Sequence, residues 1–347
     1  MVLVDVLLRV LVPGSGALQR VVDIQSPATL YAKLDEVRGF RGIRVVLLGD
    51  SLVFGRTMRD HGDHDWQKHT LDAQLQQFLR QRFPDRPVMA INLGMNGVLP
   101  TDLDQLVRII APLKPDLVVL DVSLRAFSRD FDAQDQQQTR PWLTSMRLTP
   151  EGRYAAAAGS ADVDGRLHDI AVNDWLLYRL RDIVRSVLFD GEPGKLVLAL
   201  RGQLDNWLKT GRFAAAPQAD GAFDDIVLLM RARARYDGID LAADNPQRQA
   251  IERTLQYLSK AGQKTLVFYA TENPDVLADL MDADKAKALR SELAQIVTSR
   301  LPPNSAYIGP QDIFRPENFL DHVHLTEEGY RMLTGQIGPR AEALIAQ

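Results

Sequence analysis

The chain of 347 residues contains no cysteine. This absence excludes disulfide bonds, thiolate metal sites and cysteine nucleophiles. It does not assign a compartment, because a chain without cysteine suits reducing and oxidising surroundings equally. The length allows a large buried core, arranged as about two domains or as one domain with a large insertion.

An excess of positive charge is missing as well. The 41 Lys and Arg residues are outnumbered by 45 Asp and Glu residues, which gives a net charge of −4 at pH 7. A nucleic-acid-binding protein normally carries a basic patch, so this charge balance argues against nucleic acid as a partner.

Long hydrophobic runs are scarce, and a prominent one opens the chain. Residues 2–12 are apolar apart from Asp5 and Arg9, and they are too few for a membrane span, which needs about 20 residues. The run also lacks a basic start and an A-x-A cleavage motif, so we expect no signal peptide. We expect residues 1–40 to form a separate helical or extended segment.

Two interpretations of this first segment stay open. It is a short helix packed on the domain or on a membrane surface, which we favour, or it is the stub of a longer membrane anchor, followed by the linker-like Pro-Gly-Ser-Gly at 13–16. The anchor implies membrane association and an extracytoplasmic location. Without an anchor, the expected location is cytoplasmic.

Strands and helices alternate along much of the remaining chain. Apolar runs at 43–49, 87–94 and 115–123 predict buried strands, and apolar residues at helical spacing predict helices at 69–83 and 102–113. The last third of the chain continues with helix, strand, helix, strand and helix. This alternation is typical of an α/β fold with a mostly parallel sheet.

The alternation breaks down in residues 131–245. Three amphipathic helical patterns fall within this segment, at 172–189, 194–211 and 222–236. We therefore predict one α/β domain made of residues 41–130 and 246–347. Residues 131–245 are expected to be a mainly helical insertion that covers one side of its sheet.

A candidate nucleophile follows the first predicted strand, which ends in Gly49-Asp50-Ser51. Gly, Asp and Ser form turns readily, so this tripeptide alone is weak evidence for a site. A serine at the end of a strand can also be a nucleophile, provided that a base activates its hydroxyl and a third group orients the base.

A base is available near the other end of the chain. Two of the six histidines, His322 and His324, lie between the last predicted strand and the last helix. Ligands of parallel α/β sheets bind at the carboxyl ends of the strands, so we expect these histidines and Ser51 at the same edge. Asp321 precedes His324 by three residues and can hold its imidazole. Ser51, His324 and Asp321 are the predicted catalytic triad.

Such a triad needs N–H donors for the negative charge that develops on the substrate oxygen. The backbone N–H of Ser51 is one candidate. Gly94 and Gly97, which follow the second predicted strand, are others, because glycine lets the backbone approach a ligand and adopt a positive φ.

These residues resemble the motifs of the SGNH hydrolases, also called the GDSL esterase family. The resemblance rests on the segments 49–52, 92–97 and 321–324, and it extends over residues 43–127 and from Lys264 to the C-terminus. It implies a three-layer α/β/α sandwich with a flavodoxin-like sheet of five mostly parallel strands. It also implies hydrolysis or transfer of acyl groups on oxygen, without a metal or another cofactor.

Position by position, the resemblance implies that Ser51 is the nucleophile, Gly97 an oxyanion donor, His324 the base and Asp321 the acid that orients it. One motif departs from the family. The third strand should lead into Gly-x-Asn-Asp, whose Asn completes the oxyanion hole, but no Asn stands there. The candidate replacement donors are Ser123 and Arg125.

The predicted helix at 172–189 resembles that of bacterial SGNH proteins that modify polysaccharides or the cell envelope. The expected activity is therefore hydrolysis of an acetyl or other short-chain ester, with a small molecule or a carbohydrate as the alcohol. Two alternatives stay open. The same triad could transfer the acyl group to a sugar hydroxyl, or the chain could be an inactive scaffold that binds carbohydrate.

Other polar residues near these motifs are assigned weaker roles. Asp50 is expected to tie down the turn, and His322 to face away from Ser51; both, with Asn96, are candidate substrate-binding residues. Residues 60–69 crowd three His and several Asp together. Crowding along the chain does not by itself converge ligands on one point, so we expect a solvated loop there and no metal.

Overall fold

The computed structural model describes residues 27–129 and 235–347, together with residues 24, 143, 146–148, 154–156, 175 and 233. The predictions for residues 1–23 and for the three helical patterns of the insertion lie almost entirely outside this part. Trp175 is described within the first of these patterns, and its side chain is half exposed.

The centre of the molecule is a five-stranded sheet in which all neighbouring strands are parallel. The described strands are β1 (Ile43–Leu48), β2 (Val88–Asn92), β3 (Leu117–Val122), β4 (Met146–Leu148), β5 (Tyr154–Ala156), β6 (Thr265–Tyr269) and β7 (Ala306–Ile308). The sheet has the order β2-β1-β3-β6-β7, while β4 and β5 form a separate antiparallel pair that the sequence did not predict.

Helices cover both faces of this sheet. They are α1 (Pro27–Gly39), α2 (Ser51–Phe54), α3 (Thr57–Asp60), α4 (Trp66–His69), α5 (Leu71–Arg82), α6 (Pro100–Ile110), α7 (Pro246–Lys260), α8 (Pro274–Leu280), α9 (Ala283–Thr298) and α10 (Glu327–Ala346). Apolar residues of α1, α6, α7 and α9 pack on one face, and those of α5 and α10 pack on the other. The predicted three-layer α/β/α sandwich with a flavodoxin-like parallel sheet is confirmed.

Helix α1 is an element that the apolar pattern did not predict. Leu30, Leu34 and Val37 of this helix are fully buried. Lys33 lies among them and is buried as well, and its Nζ donates a hydrogen bond to the carbonyl oxygen of Asn92 at 2.7 Å. The charged Lys33 interrupts the apolar pattern from which a helix would be predicted. In the fold, its hydrogen bond connects α1 to the end of β2.

The insertion leaves and rejoins the α/β domain at one place. Ser128 and Ile239 form an antiparallel bridge, and the N–H of Arg129 donates to the carbonyl oxygen of Gly238 at 2.9 Å. The described residues Leu143, Met146 and Tyr236 pack into the same core as α6 and α7. This part of the insertion is thus joined to the core of the α/β domain.

In the described part of the chain, none of the helices combines the length and the apolar character that a membrane crossing requires.

Candidate active site

Ser51 is the first residue of the one-turn helix α2, which begins directly beyond the carboxyl end of β1. Asp50 caps this helix, since its carboxylate accepts a hydrogen bond from the N–H of Leu52 at 2.8 Å. Gly55 ends the helix with a φ of 75°, a conformation that favours glycine. Asp50 therefore holds the first turn of α2 through its carboxylate.

The position of this turn follows from the sheet order. Strand β1 lies between β2 and β3, so the connections from β1 and β3 leave towards opposite faces of the sheet. In open parallel sheets, a crevice forms outside the carboxyl ends of the strands at such a point. Ser51 is therefore placed where this fold binds ligands.

Ser51, His324 and Asp321 form one hydrogen-bonded chain. Nε2 of His324 lies 2.7 Å from Oγ of Ser51, although 273 positions separate the two residues. Nδ1 of His324 lies 2.6 Å from Oδ2 of Asp321. An ionised carboxylate only accepts, so Nδ1 carries the proton and Nε2 is free to accept the proton of the Ser51 hydroxyl. The structure thus places side by side the three side chains that the sequence analysis named.

The loop before α10 holds Asp321 in this orientation. Its Oδ1 accepts hydrogen bonds from the N–H groups of Val323 and His324, both at 2.8 Å. Burial alone would raise the pKa of the Asp321 carboxyl, but the hydrogen bond to His324 and the neighbouring imidazoles hold it well below its usual range. Asp321 is therefore charged at neutral pH and orients the imidazole of His324.

Two backbone N–H groups are candidates for the oxyanion hole. Within the described residues, neither the N–H of Ser51 nor that of Gly97 has a hydrogen-bond acceptor. Gly97 has a φ of 62°, and it is exposed together with Asn96. Gly94 is buried instead, and a Cβ there would lie 2.6 Å from the backbone nitrogen of Phe54. Gly94 thus permits close packing, whereas Gly97 remains available to a ligand.

A buried charge cluster supports the nucleophile turn. The guanidinium of Arg125 forms an ion pair with Asp50, and the N–H of Asp50 donates to the carboxyl of Asp121 at 3.1 Å. Burial would raise the pKa of Asp50, but the charge of Arg125 holds it below its usual value. Burial and the charge of Asp50 raise the pKa of Asp121 well above its usual value, which favours its neutral form.

Ser123 and Arg125, the two candidate replacements for the missing Asn, differ in position and in hydrogen bonding. Ser123 is buried and precedes a short 3₁₀ turn, Leu124–Phe127, which contains Arg125. One terminal nitrogen of Arg125 is engaged by Asp50. The other, Nη1, is buried and has no hydrogen-bond partner in the part of the chain described.

His322 lies beside the triad rather than in it. Its Nδ1 is 3.8 Å from Oδ1 of Asp321, and its carbonyl accepts a hydrogen bond from the N–H of Asn273 at 2.9 Å. Burial and the charge of Arg125 lower the pKa of His322 to about 4. A neutral imidazole next to the site can bind polar groups of a ligand.

The histidine-rich loop at 60–69 makes internal contacts. Nδ1 of His69 lies 2.7 Å from Oδ2 of Asp63, whose Oδ1 accepts from the N–H of Asp65 at 2.8 Å. Nδ1 of His61 lies 3.0 Å from the carbonyl oxygen of Thr57. These contacts fold the loop on itself next to α5.

Sequence reasoning assigned no role to three residues that shape the site, Asn92, Asp121 and Tyr330, although Asn92 begins the segment 92–97 that carries the resemblance. Asn92 and Asp121 are buried polar residues inside apolar strands, and an isolated polar residue in such a run is the signal that could have found them. The Tyr330 hydroxyl donates to the carbonyl oxygen of Leu52 at 2.6 Å, a contact that no local pattern predicts.

Gly49 allows the nucleophile turn to form, and we expect Gly49→Ala to destabilise the protein. A Cβ at this position would lie 2.4 Å from Cγ2 of Val53 and 2.5 Å from the carboxyl carbon of Asp121. Relieving this overlap should cost about 1–3 kcal/mol of unfolding free energy, as overpacking usually does. Urea denaturation measures the loss.

The matched control for this prediction is Gly335→Ala. Gly335 is an exposed residue inside α10, and a Cβ there meets no atom within 4 Å. This variant should gain about 0.5–1 kcal/mol through helix propensity. Equal unfolding free energies for Gly49→Ala and the unsubstituted protein would contradict the steric account.

Comparisons with known proteins give a distant structural likeness. No family model matches the sequence, and no curated protein matches it. One similar solved structure is the crystal structure of LAE5, an alpha/beta hydrolase enzyme from the metagenome of Lake Arreo, Spain. The two chains are 12% identical with a TM-score of 0.41, over 89% of this chain and 99% of the other. A likeness this distant assigns neither a family nor a reaction.

Proposed function

We propose that this protein is a serine esterase of the SGNH type that hydrolyses an O-acyl ester with a short acyl chain. The observation that carries the proposal is the continuous hydrogen-bonded chain from Asp321 through His324 to Ser51. Because a hydroxyl is a weak nucleophile at neutral pH, an oriented base within hydrogen-bond distance is the arrangement that activates it.

In the first half of the reaction, Oγ of Ser51 forms a bond to the ester carbonyl carbon while its proton moves to Nε2 of His324. The N–H groups of Ser51 and Gly97 stabilise the resulting oxyanion. Among the described residues Nη1 of Arg125 has no hydrogen-bond partner, which supports this residue, rather than Ser123, as the third donor. His324 then gives its proton to the alcohol oxygen as the C–O bond breaks, which leaves an acyl-enzyme.

In the second half, His324 takes a proton from water while the water oxygen attacks the acyl carbon. The acid leaves, and the proton on His324 returns to Oγ of Ser51. Asp321 stays charged throughout and stabilises the imidazolium that forms twice in the cycle.

Two measurements test the proposal. A fluorophosphonate should label Ser51 covalently, as peptide mass spectrometry reports. Nitrophenyl esters of acetate, butyrate and octanoate should be hydrolysed, fastest with the short chains. Ser291→Ala is the matched control for a substitution of Ser51, because Ser291 is an exposed serine on α9 that should tolerate substitution. This control should keep both the labelling and the ester hydrolysis.

Three results would contradict the proposal. One is labelling at a serine other than Ser51, and another is the absence of both labelling and turnover. The third is the acyl group appearing on an added oligosaccharide in place of free acid, which would instead support acyl transfer to a sugar hydroxyl.

A further inference from the structure

Asn92, the last residue of β2, bonds to both segments that carry the proposed oxyanion donors. Its Oδ1 accepts from the N–H of Gly94 at 2.8 Å. Its Nδ2 donates to the carbonyl oxygen of Val53 at 2.7 Å and to Oδ1 of Asp72 at 2.8 Å. Val53 belongs to the turn that begins with Ser51, and Gly94 begins the segment that ends with Gly97.

The side-chain amide fits these three partners in only one orientation. Nδ2 has two protons and both are used, while Oδ1 accepts from Gly94. The flipped amide would place its oxygen against the acceptors of Val53 and Asp72. Asn92 is 3% exposed, so water cannot replace a lost bond cheaply.

Asn92 also completes the hydrogen bonds of helix α2. A helix of one turn has no internal donors for its last carbonyl groups. The carbonyls of Asp50 and Ser51 accept from Phe54 and Gly55. The next two carbonyl groups of the helix accept from side chains. The Tyr330 hydroxyl donates to the carbonyl oxygen of Leu52, and the Asn92 amide donates to that of Val53.

The loop on the other side of Asn92 is fixed equally closely. The N–H of Met95 donates to the carbonyl oxygen of Gly49 at 3.0 Å, and the backbone of Phe54 packs directly against Gly94. Asn92 is the side chain that bonds to both sides of this contact. A shift of its amide would therefore change the distance between the Ser51 turn and the segment 94–97.

We propose that Asn92 is a positioning residue that holds the Ser51 turn and the segment 94–97 in register, so that the N–H groups of Ser51 and Gly97 point at one oxygen atom. The proposal rests on the proposed esterase function for its kinetic consequence. Its structural consequence can be measured independently of any reaction.

Asn92→Ala should lower kcat for nitrophenyl acetate by about 10²-fold, the usual cost of misaligning or losing one oxyanion donor, with KM within about 3-fold. The hydrogen-bonded backbone amides of residues 52, 54, 55, 94 and 95 should exchange with D₂O faster, as mass spectrometry measures. Asn92→Ser, whose single hydroxyl proton can serve only one of the two acceptors, is a milder variant if Asn92→Ala does not fold.

One control variant separates positioning from general destabilisation. Gln263→Ala removes a buried amide that donates to the carbonyl oxygens of Pro115 and Lys264 at the opposite edge of the sheet. It should lower the melting temperature, with kcat within about 3-fold of the unsubstituted protein.

The outcomes are distinguishable. Unchanged exchange in both segments of Asn92→Ala overturns the positioning role, and so does an equal loss of kcat in Gln263→Ala. Faster exchange in Asn92→Ala, combined with an unsubstituted protein that neither hydrolyses esters nor reacts with fluorophosphonate, supports the positioning role and overturns the esterase proposal.

Discussion

Ser51→Ala is expected to lower kcat/KM for ester hydrolysis by about 10⁴-fold or more, because the variant has no oxygen that can form the acyl-enzyme. The fold should not change, since the α2 helix keeps its Asp50 cap and the carbonyl bonds to Tyr330 and Asn92. The melting temperature should therefore stay close to that of the unsubstituted protein.

A double variant gives the sharper test of this prediction. If Ser51 and His324 act as one unit, His324→Ala alone should cost about as much activity as Ser51→Ala, and the double variant should be no slower than either. The steady-state rates of the three variants decide this. If the fold-losses in rate of the two single variants multiply in the double variant, Ser51 and His324 act independently. The 2.7 Å contact between them would then not be the one that activates the nucleophile.

The sequence predicts most of the sheet and the edge at which the site lies. The five predicted strands correspond to the strands of the sheet. Four of them are apolar runs, because strands buried on both faces are nearly continuous in apolar residues, and the fifth, β7, is a short and half-buried edge strand. The carboxyl-end rule then brings Ser51 and His324 together. Both inferences need only local patterns and one general property of parallel sheets.

The supporting contacts could not be predicted in the same way. Arg125, Asp121 and Lys33 are charged residues whose buried partners the sequence did not predict, although Arg125 was a candidate oxyanion donor and Asp121 fell in a predicted buried strand. Each is buried here because a specific partner lies elsewhere in the chain, as Asp50 does for Arg125 and the carbonyl of Asn92 for Lys33. Such pairs depend on tertiary packing, which a period of apolar residues does not encode.

Asp321→Asn is expected to lower kcat by about 10⁴-fold with little change in KM, because it reverses the tautomer of His324. The N–H groups of Val323 and His324 hold one oxygen of the side chain. The amide NH₂ of the variant therefore faces Nδ1 of His324, which must become an acceptor. The ring proton then moves to Nε2, which can no longer accept the proton of Ser51.

Asp321→Asn should also weaken the pH dependence of the free energy of unfolding in the acid range. The pKa of Asp321 is lower in the folded chain than its ordinary value of 3.8, so its charge contributes stability above about pH 4 that is lost as pH falls through the folded pKa. Urea unfolding between pH 2 and 7 should show a shallower acid decline for Asp321→Asn. Asp312→Asn, at an exposed position, should keep both the decline and kcat.

A rate within about 10-fold of the unsubstituted protein in Asp321→Asn would show that His324 does not need this carboxylate to act as the base.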